Sequence, residues 1–206
     1  MSLDFYYAPM SSATPIHWAL EELGVAYDKV KVDLQAGDQK KPEFLSINPN
    51  GKVPAIMHDG VAIWESAAIM MYLGETFGEE KGLYPRLSPA RGEAMKWIVW
   101  CNVTLGDAVH RYQRNTSERI SVELRNARVG AQAKEDLEGL LRLLDKALTG
   151  QQYLVENKFS LADLHVAAFI GYVAMTGVDM APYGAIMAWK DRCLERPACK
   201  RVMASS

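Results

Sequence analysis

LDFYYAPMSSATPIHWALEELGVAYDKVKVD, residues 3–33, decides the fold of the first half of this chain. It holds three segments with different periods. Leu3-Asp4-Phe5-Tyr6-Tyr7 carries aromatic side chains that suit a pleated surface and ends at the turn-forming Pro9, which predicts a strand. Thr14 is a candidate N-cap and Pro15 suits the first helical turn. Ile16, Ala19, Leu20 and Leu23 then recur at helical spacing until Gly24 stops the run. Tyr27 to Asp33 predicts a second strand with Val30 and Val32 on one face. A strand-helix-strand unit of this kind calls for parallel strands joined by a right-handed crossover.

Further along, Lys40 to Ile47 reads as a loop and a short helix before Asn48-Pro49-Asn50-Gly51 breaks the chain. Ala55 to Met57 and Val61 to Trp64 flank Asp59-Gly60, a dipeptide suited to a tight antiparallel turn. Glu65 to Thr76 predicts a buried helix with apolar residues on most faces. The order β-α-β, helix, β-β-α is that of a thioredoxin-like domain. Gly78 to Pro89 has the composition of a linker, and the rest predicts helices at about 90 to 112, 117 to 148, 160 to 176 and 185 to 195. In the second of these, Leu137, Leu140, Leu141, Leu144 and Leu148 form an apolar stripe. The expected division is 1–80 as the thioredoxin-like domain, 81–88 as linker and 89–206 as an all-α domain.

Composition narrows the function. The 206 residues are 49% hydrophobic and 23% charged, near the globular average. Lys and Arg number 23 against 25 Asp and Glu, a net charge of −2, so no strong positive field invites nucleic acid or an anionic membrane. No long uncharged apolar stretch meets the length needed to span a bilayer. Three cysteines, Cys101, Cys193 and Cys199, form no C-x-x-C pair and cannot all be bridged internally, which fits a reducing cytosol. Met1 to Phe5 lacks the basic and apolar run of a secretory leader, so the two Asn-x-Ser/Thr triplets at Asn102 and Asn115 read as chance matches.

The chemistry concentrates at turns. A thioredoxin-like domain used for disulfide exchange needs a nucleophilic thiol between the first strand and first helix. Here Pro9-Met10-Ser11-Ser12-Ala13-Thr14 offers hydroxyls instead, which rules out a dithiol cycle through this turn. A hydroxyl beside a helix N-terminus can donate to an anion held there, or can simply cap the helix. Val53-Pro54 precedes a strand; a cis bond there would turn the Val53 backbone outward to pair with an extended peptide. Glu65-Ser66 opens a helix whose N–H groups suit a carboxylate. His110 has no companion at metal-ligand spacing, and no metal site is expected.

In this order the pieces resemble the soluble glutathione transferase family, bacterial-like. The likeness rests on Tyr-Tyr-Ala-Pro at 6–9, Ser11-Ser12, Asn48-Pro49-Asn50-Gly51-Lys52-Val53-Pro54 and Glu65-Ser66-Ala67-Ala68-Ile69. It extends through Phe159-Ser160-Leu161-Ala162-Asp163, in capping-box spacing, to a terminal helix and turn ending Arg196-Pro197-Ala198. The resemblance implies glutathione as co-substrate. Ser66 would meet its γ-glutamyl carboxylate, Glu65 its ammonium, and Val53, positioned by a cis Pro54, its cysteinyl backbone. Lys52, with Lys40 or Lys41, would meet the glycyl carboxylate.

Its thiol would lie over the Ser11-Ser12 turn. Counting back from Ala19-Leu20-Glu21-Glu22-Leu23-Gly24, Ser12 falls where a bacterial branch of the family has cysteine, while Tyr6 falls at the position of the tyrosine-type enzymes. The order of candidates for thiol activation is therefore Ser12, Ser11, Tyr6. The implied reaction is conjugation to a small hydrophobic electrophile, in a pocket bordered by the Met10 turn and the helix around His110, Arg111, Tyr112 and Arg114, by a cytoplasmic homodimer. The alternatives are a glutathione-binding member without appreciable turnover and a glutathione-dependent isomerase or dehalogenase.

Overall fold

The computed structural model describes residues 2–205; Met1, which begins the segment read for a leader, and Ser206, the end of the expected helical domain, lie outside the described residues. The chain forms two compact units, Met1–Arg91 with Glu195–Ser206, and Gly92–Leu194. The last helix is thus counted with the sheet unit and not with the helices of the second unit.

In the first unit, strands β1 (Leu3–Tyr7), β2 (Asp28–Lys31), β3 (Ala55–His58) and β4 (Val61–Trp64) lie in the order β2-β1-β3-β4. β1 pairs parallel with β2, as the strand-helix-strand reading required, and antiparallel with β3; β3 and β4 form the expected hairpin. Asp59 and Gly60 supply its turn at φ 47° and 83°. Helix α1 (Thr14–Leu23) packs on the Phe5 side of β1, where His17 meets the Phe5 ring. The short α2 (Pro42–Leu45) packs on the other side, where Phe44 meets the Tyr6 ring edge-on. Successive residues of one strand thus anchor opposite layers.

Several expectations need correction here. Thr14 is the first helical residue and Ala13 holds the N-cap position, since Ser11 upstream makes the side-chain contact to the turn. Val30 is exposed on an edge strand, whereas Val32, just past the strand end, is buried with Phe44 and Val53. The helix expected to Thr76 is α3 (Ser66–Leu73) continued by a π-helical turn at Gly74–Gly78. Ile69, Met70, Leu73, Gly74 and Gly78 are buried along it, so one face packs and the other stays half-open. Gly74 lies flush against Tyr84: a Cβ there would sit 2.6 Å from the ring's Cδ2. That ring is buried and covered by the Arg91 guanidinium. Gly74→Ala is therefore expected to lower stability by ~1–3 kcal/mol through overpacking. An unchanged urea midpoint would show that the ring has room to move.

In the second unit α4 (Pro89–Trp100) runs through a π-helical turn, Cys101–Leu105, into α5 (Gly106–Thr116). The helix expected to start at 117 begins at 127. Residues 117–126 are irregular apart from a single 3₁₀ turn at Val122–Leu124, and α6 (Ala127–Leu148) opens where Asn126 Oδ1 accepts from the N–H groups of Arg128 and Val129. Leu137, Leu141, Leu144 and Leu148 are buried as the stripe predicts, with Leu140 half-buried at its margin. α7 (Leu161–Ala174) and α8 (Gly184–Leu194) complete the unit.

α7 opens at the capping box read from sequence, with Asp163 Oδ2 accepting from both the N–H and the hydroxyl of Ser160. The final α9 (Pro197–Ala204) was not anticipated as a helix. It is tied to α1 by Arg196, whose guanidinium makes two bonds to the carboxylate of Glu22, at 2.7 and 2.8 Å. Among the described residues, no helix is long and apolar enough to cross a membrane.

Candidate functional site

Strand direction and register bring the candidate residues to one end of the sheet. Tyr6 pairs with Ala55, and Ala55 with Trp64. One step beyond these pairs stand Tyr7, Pro54 and Glu65, so the β1–α1 turn, the start of β3 and the start of α3 share an edge. β2 ends there too, because it runs parallel to β1.

The β1–α1 turn is tightly specified. Met10 has φ 49° and its side chain is 86% exposed at the turn's tip. Ser11 Oγ donates to the Ala8 carbonyl at 2.7 Å and accepts from the Ala13 N–H at 3.1 Å, so its hydroxyl is engaged as both donor and acceptor. Ser12 is exposed, and its Oγ donates to the Val53 carbonyl at 2.9 Å. That bond joins the turn directly to the loop before β3. Tyr6 belongs instead to an apolar cluster with Ala8, Val32, Phe44 and Val53. Burial, and then the charge of Asp4, hold its phenol above the ordinary tyrosine range. Of the three hydroxyls, Ser12 is the most open.

The Val53-Pro54 bond is cis. Asn48, which is buried, braces this loop: its Nδ2 donates to the Lys52 carbonyl at 2.6 Å and its Oδ1 accepts from the Asn50 N–H at 3.0 Å. Sequence reading took Asn48 as part of a chain break and of the stretch that carries the family resemblance, without this bracing role; an asparagine at the head of Asn-Pro-Asn-Gly was the signal for it. Gly51, at φ 60°, is packed so closely that a Cβ would lie 2.8 Å from the Gln39 carbonyl and 3.3 Å from Lys40 Nζ. Lys40 is therefore beside Gly51-Lys52. Lys41 is engaged elsewhere, 2.7 Å from Asp38.

Glu65 sits at φ 71°, ψ 117°, outside the regions a side-chain-bearing residue ordinarily adopts. Such a conformation costs about 1–3 kcal/mol and persists only where its surroundings dictate it. It turns the chain sharply from β4 into α3, whose first residue is Ser66.

In the second unit, Arg111 is held by Asp107 at 2.8 Å and Asp136 at 3.0 Å. His110 and Arg114 are exposed and Tyr112 is half-buried. The histidine that sequence reading missed is His165, buried in α7 with Nε2 bonded to Asn102 Oδ1. Its desolvation pushes its pKa down to about 4, leaving it neutral. All three cysteines are buried, and burial raises the thiol pKa of Cys101 and of Cys199, the latter to about 11. None of the three belongs to the β1–α1 turn. Among the described residues, no group of His, Cys, Asp and Glu is placed to hold a metal ion.

Comparison with known proteins bears on the family of the chain. A family model for the glutathione S-transferase N-terminal domain matches residues 1–75, and one for the C-terminal domain matches residues 120–197. Glutathione S-transferase GstB of Escherichia coli K12 is 33% identical over 187 residues, spanning 89% of this chain and 88% of its own. Disulfide-bond oxidoreductase YfcG of the same strain is 30% identical over 207 residues, spanning 95% and 92%. A sphingomonad glutathione S-transferase solved in complex with glutathione covers 98% of each chain at 29% identity, with a TM-score of 0.84. The glutathione transferase URE2P8 of Phanerochaete chrysosporium, at 24% identity and a TM-score of 0.88, covers 99% of this chain and 94% of its own and shares the fold.

Proposed function

This chain belongs to the glutathione S-transferase family, and on that footing we propose that it binds glutathione along the sheet edge, ionises its thiol and conjugates it to a small hydrophobic electrophile. The observation that carries this reading is the 2.9 Å bond from Ser12 Oγ to the Val53 carbonyl, which fixes the hydroxyl-bearing turn beside the cis-Pro loop. In the proposed pose Val53 pairs with the cysteinyl backbone. The N-terminus of α3 with Ser66 receives the γ-glutamyl carboxylate, Glu65 its ammonium, and Lys40 and Lys52 the glycyl carboxylate.

The thiol then lies over Ser11 and Ser12. Free in water it titrates near ~8.5 to 9. Lowering that by ~2 units takes about 2.7 kcal/mol of preference for the anion, within reach of a hydroxyl donor and a helix N-terminus together. Ser12 ranks first because its oxygen bears one bond; Ser11 follows because its hydroxyl both donates and accepts. Tyr6 ranks third because its ring packs in an apolar cluster. With the thiolate formed, proximity supplies the rest of the acceleration. The chain acts, in this reading, as a homodimer of the cytoplasm.

The test is ultraviolet absorbance of the bound thiolate against pH. Ser12→Ala is expected to raise the bound thiol's pKa by about one unit or more, Ser11→Ala by less, and Tyr6→Phe hardly at all. If none of the three moves it, the hydroxyl assignment is wrong; if glutathione at millimolar concentration gives no calorimetric binding, the whole reading is.

The identity with YfcG favours one second reading. A glutathione thiolate held at this turn would attack a disulfide sulfur, releasing one thiol and leaving a mixed disulfide. A second glutathione would then resolve it to oxidised glutathione and the second thiol. No protein cysteine is required, which suits three buried thiols. Turnover of a disulfide substrate without conjugation of any electrophile would select this reading.

A further inference from the structure

We propose that the Ser12 hydroxyl is an exchangeable donor on the Val53 carbonyl, so that main-chain recognition of glutathione and ionisation of its thiol are one coupled event; this rests on the glutathione reading above. The bond spans 41 residues of sequence and joins the thiol-binding turn to the peptide-pairing loop. A serine hydroxyl has one proton and cannot give it to a carbonyl and to a sulfur anion together. Turning it toward the thiolate strips the Val53 carbonyl of its donor, and Val53 is only 8% exposed, so water makes up little of the loss.

Glutathione brings the replacement: its cysteinyl N–H, lying along Val53 in extended pairing, donates to the same carbonyl. That oxygen accepts two hydrogen bonds, so the incoming N–H can seat before the hydroxyl turns away. Ser11 is not placed for this part, because its proton goes to Ala8 within its own turn rather than to the Val53 carbonyl, and its oxygen is further tied by the Ala13 N–H. In the exchange the thiol proton departs to water, Ser12 keeps its own proton, and no covalent bond forms to the protein.

The coupling has a direct consequence for ligands. A thiol that cannot supply the cysteinyl N–H leaves Ser12 on Val53 and stays largely protonated. The experiment titrates wild type, Ser12→Ala and Ser12→Thr, each with glutathione and with an ester analogue whose cysteinyl N–H is replaced by oxygen. In wild type the analogue's bound thiol is expected to titrate about one unit above that of glutathione, a tenfold smaller thiolate population at a given pH. In Ser12→Ala the two ligands are expected to titrate alike, and Ser12→Thr is expected to restore the gap.

A second measurement uses S-methylglutathione, which has no thiol proton to lose. Ser12→Ala is expected to bind it at least as tightly as wild type, because the carbonyl is already vacant. Equal gaps in wild type and Ser12→Ala, no gap in wild type, or tenfold weaker S-methylglutathione binding by Ser12→Ala would each overturn the coupling while leaving glutathione binding standing. Absence of glutathione binding in wild type would overturn both.

Discussion

Asp163→Ala is expected to lower the free energy of unfolding by about 3–5 kcal/mol, the largest loss from any single side chain considered. The Asp163 carboxylate is fully buried and accepts four hydrogen bonds. They come from the N–H and hydroxyl of Ser160, the N–H of Leu154 at 2.8 Å and the indole N–H of Trp189 at 2.9 Å. Burial raises its pKa, and the four donors work against that rise by favouring the anion. Alanine would leave those donors inside the helical unit with no acceptor, and each unmade bond costs about 1–3 kcal/mol, though not additively. Asp163→Asn keeps one acceptor oxygen and is expected to fall between. Guanidinium unfolding followed by tryptophan fluorescence measures both. A loss under 1 kcal/mol for Asp163→Ala would mean that water or a neighbouring carbonyl rearranges to satisfy the donors.

The second large effect depends on pH. His165 has a folded-state pKa of about 4, against ~6.5 for an unfolded histidine. The unfolded chain therefore binds the proton first. The contribution is fully present above about pH 6.5 and falls by up to ~1.4 kcal/mol per unit as pH drops toward 4, where about 3 kcal/mol has been lost. His17, also buried and also shifted downward by its desolvation, adds in the same direction. Asp163, shifted upward, acts with the opposite sign toward the acid end. Both are common to wild type and His165→Gln, so the difference between the two stability–pH curves isolates His165. The variant is expected to lose less stability between pH 6.5 and 4. Curves that stay parallel would mean the imidazole is reached by water or a carboxylate when the chain is acidified.

Much of this was legible in the linear chain because the signals were local. The Asp59-Gly60 hairpin, the Gly24 stop and the Ser160–Asp163 box each depend on residues a few positions apart, and each formed as read. The misreadings have equally local causes. In Ser117 to Arg125 the apolar Ile120, Val122 and Leu124 recur every second residue, which is not a helical period, and the true start was marked by Asn126, whose side chain caps the helix. Glu65 to Thr76 carried apolar residues on most faces, but composition does not tell which side of a helix another element will cover, and here only one is covered.

What the sequence determined by itself was the order of elements in the first unit, the parallel and antiparallel pairings they imply, and the types of side chain at each turn. These follow from short-range periodicity and turn chemistry, which the backbone expresses before distant parts meet. What only the tertiary structure decided was which of those side chains have hydrogens or lone pairs left to use. Ser11 and Ser12 are identical in sequence. One is closed into its own turn through Ala8 and Ala13, while the other reaches the carbonyl of Val53. That distinction depends on sheet register bringing residues 41 positions apart to 2.9 Å, and no local spacing encodes it. The same holds for Asp163, whose last partner, Trp189, arrives from a different helix to complete a site that the capping box only began.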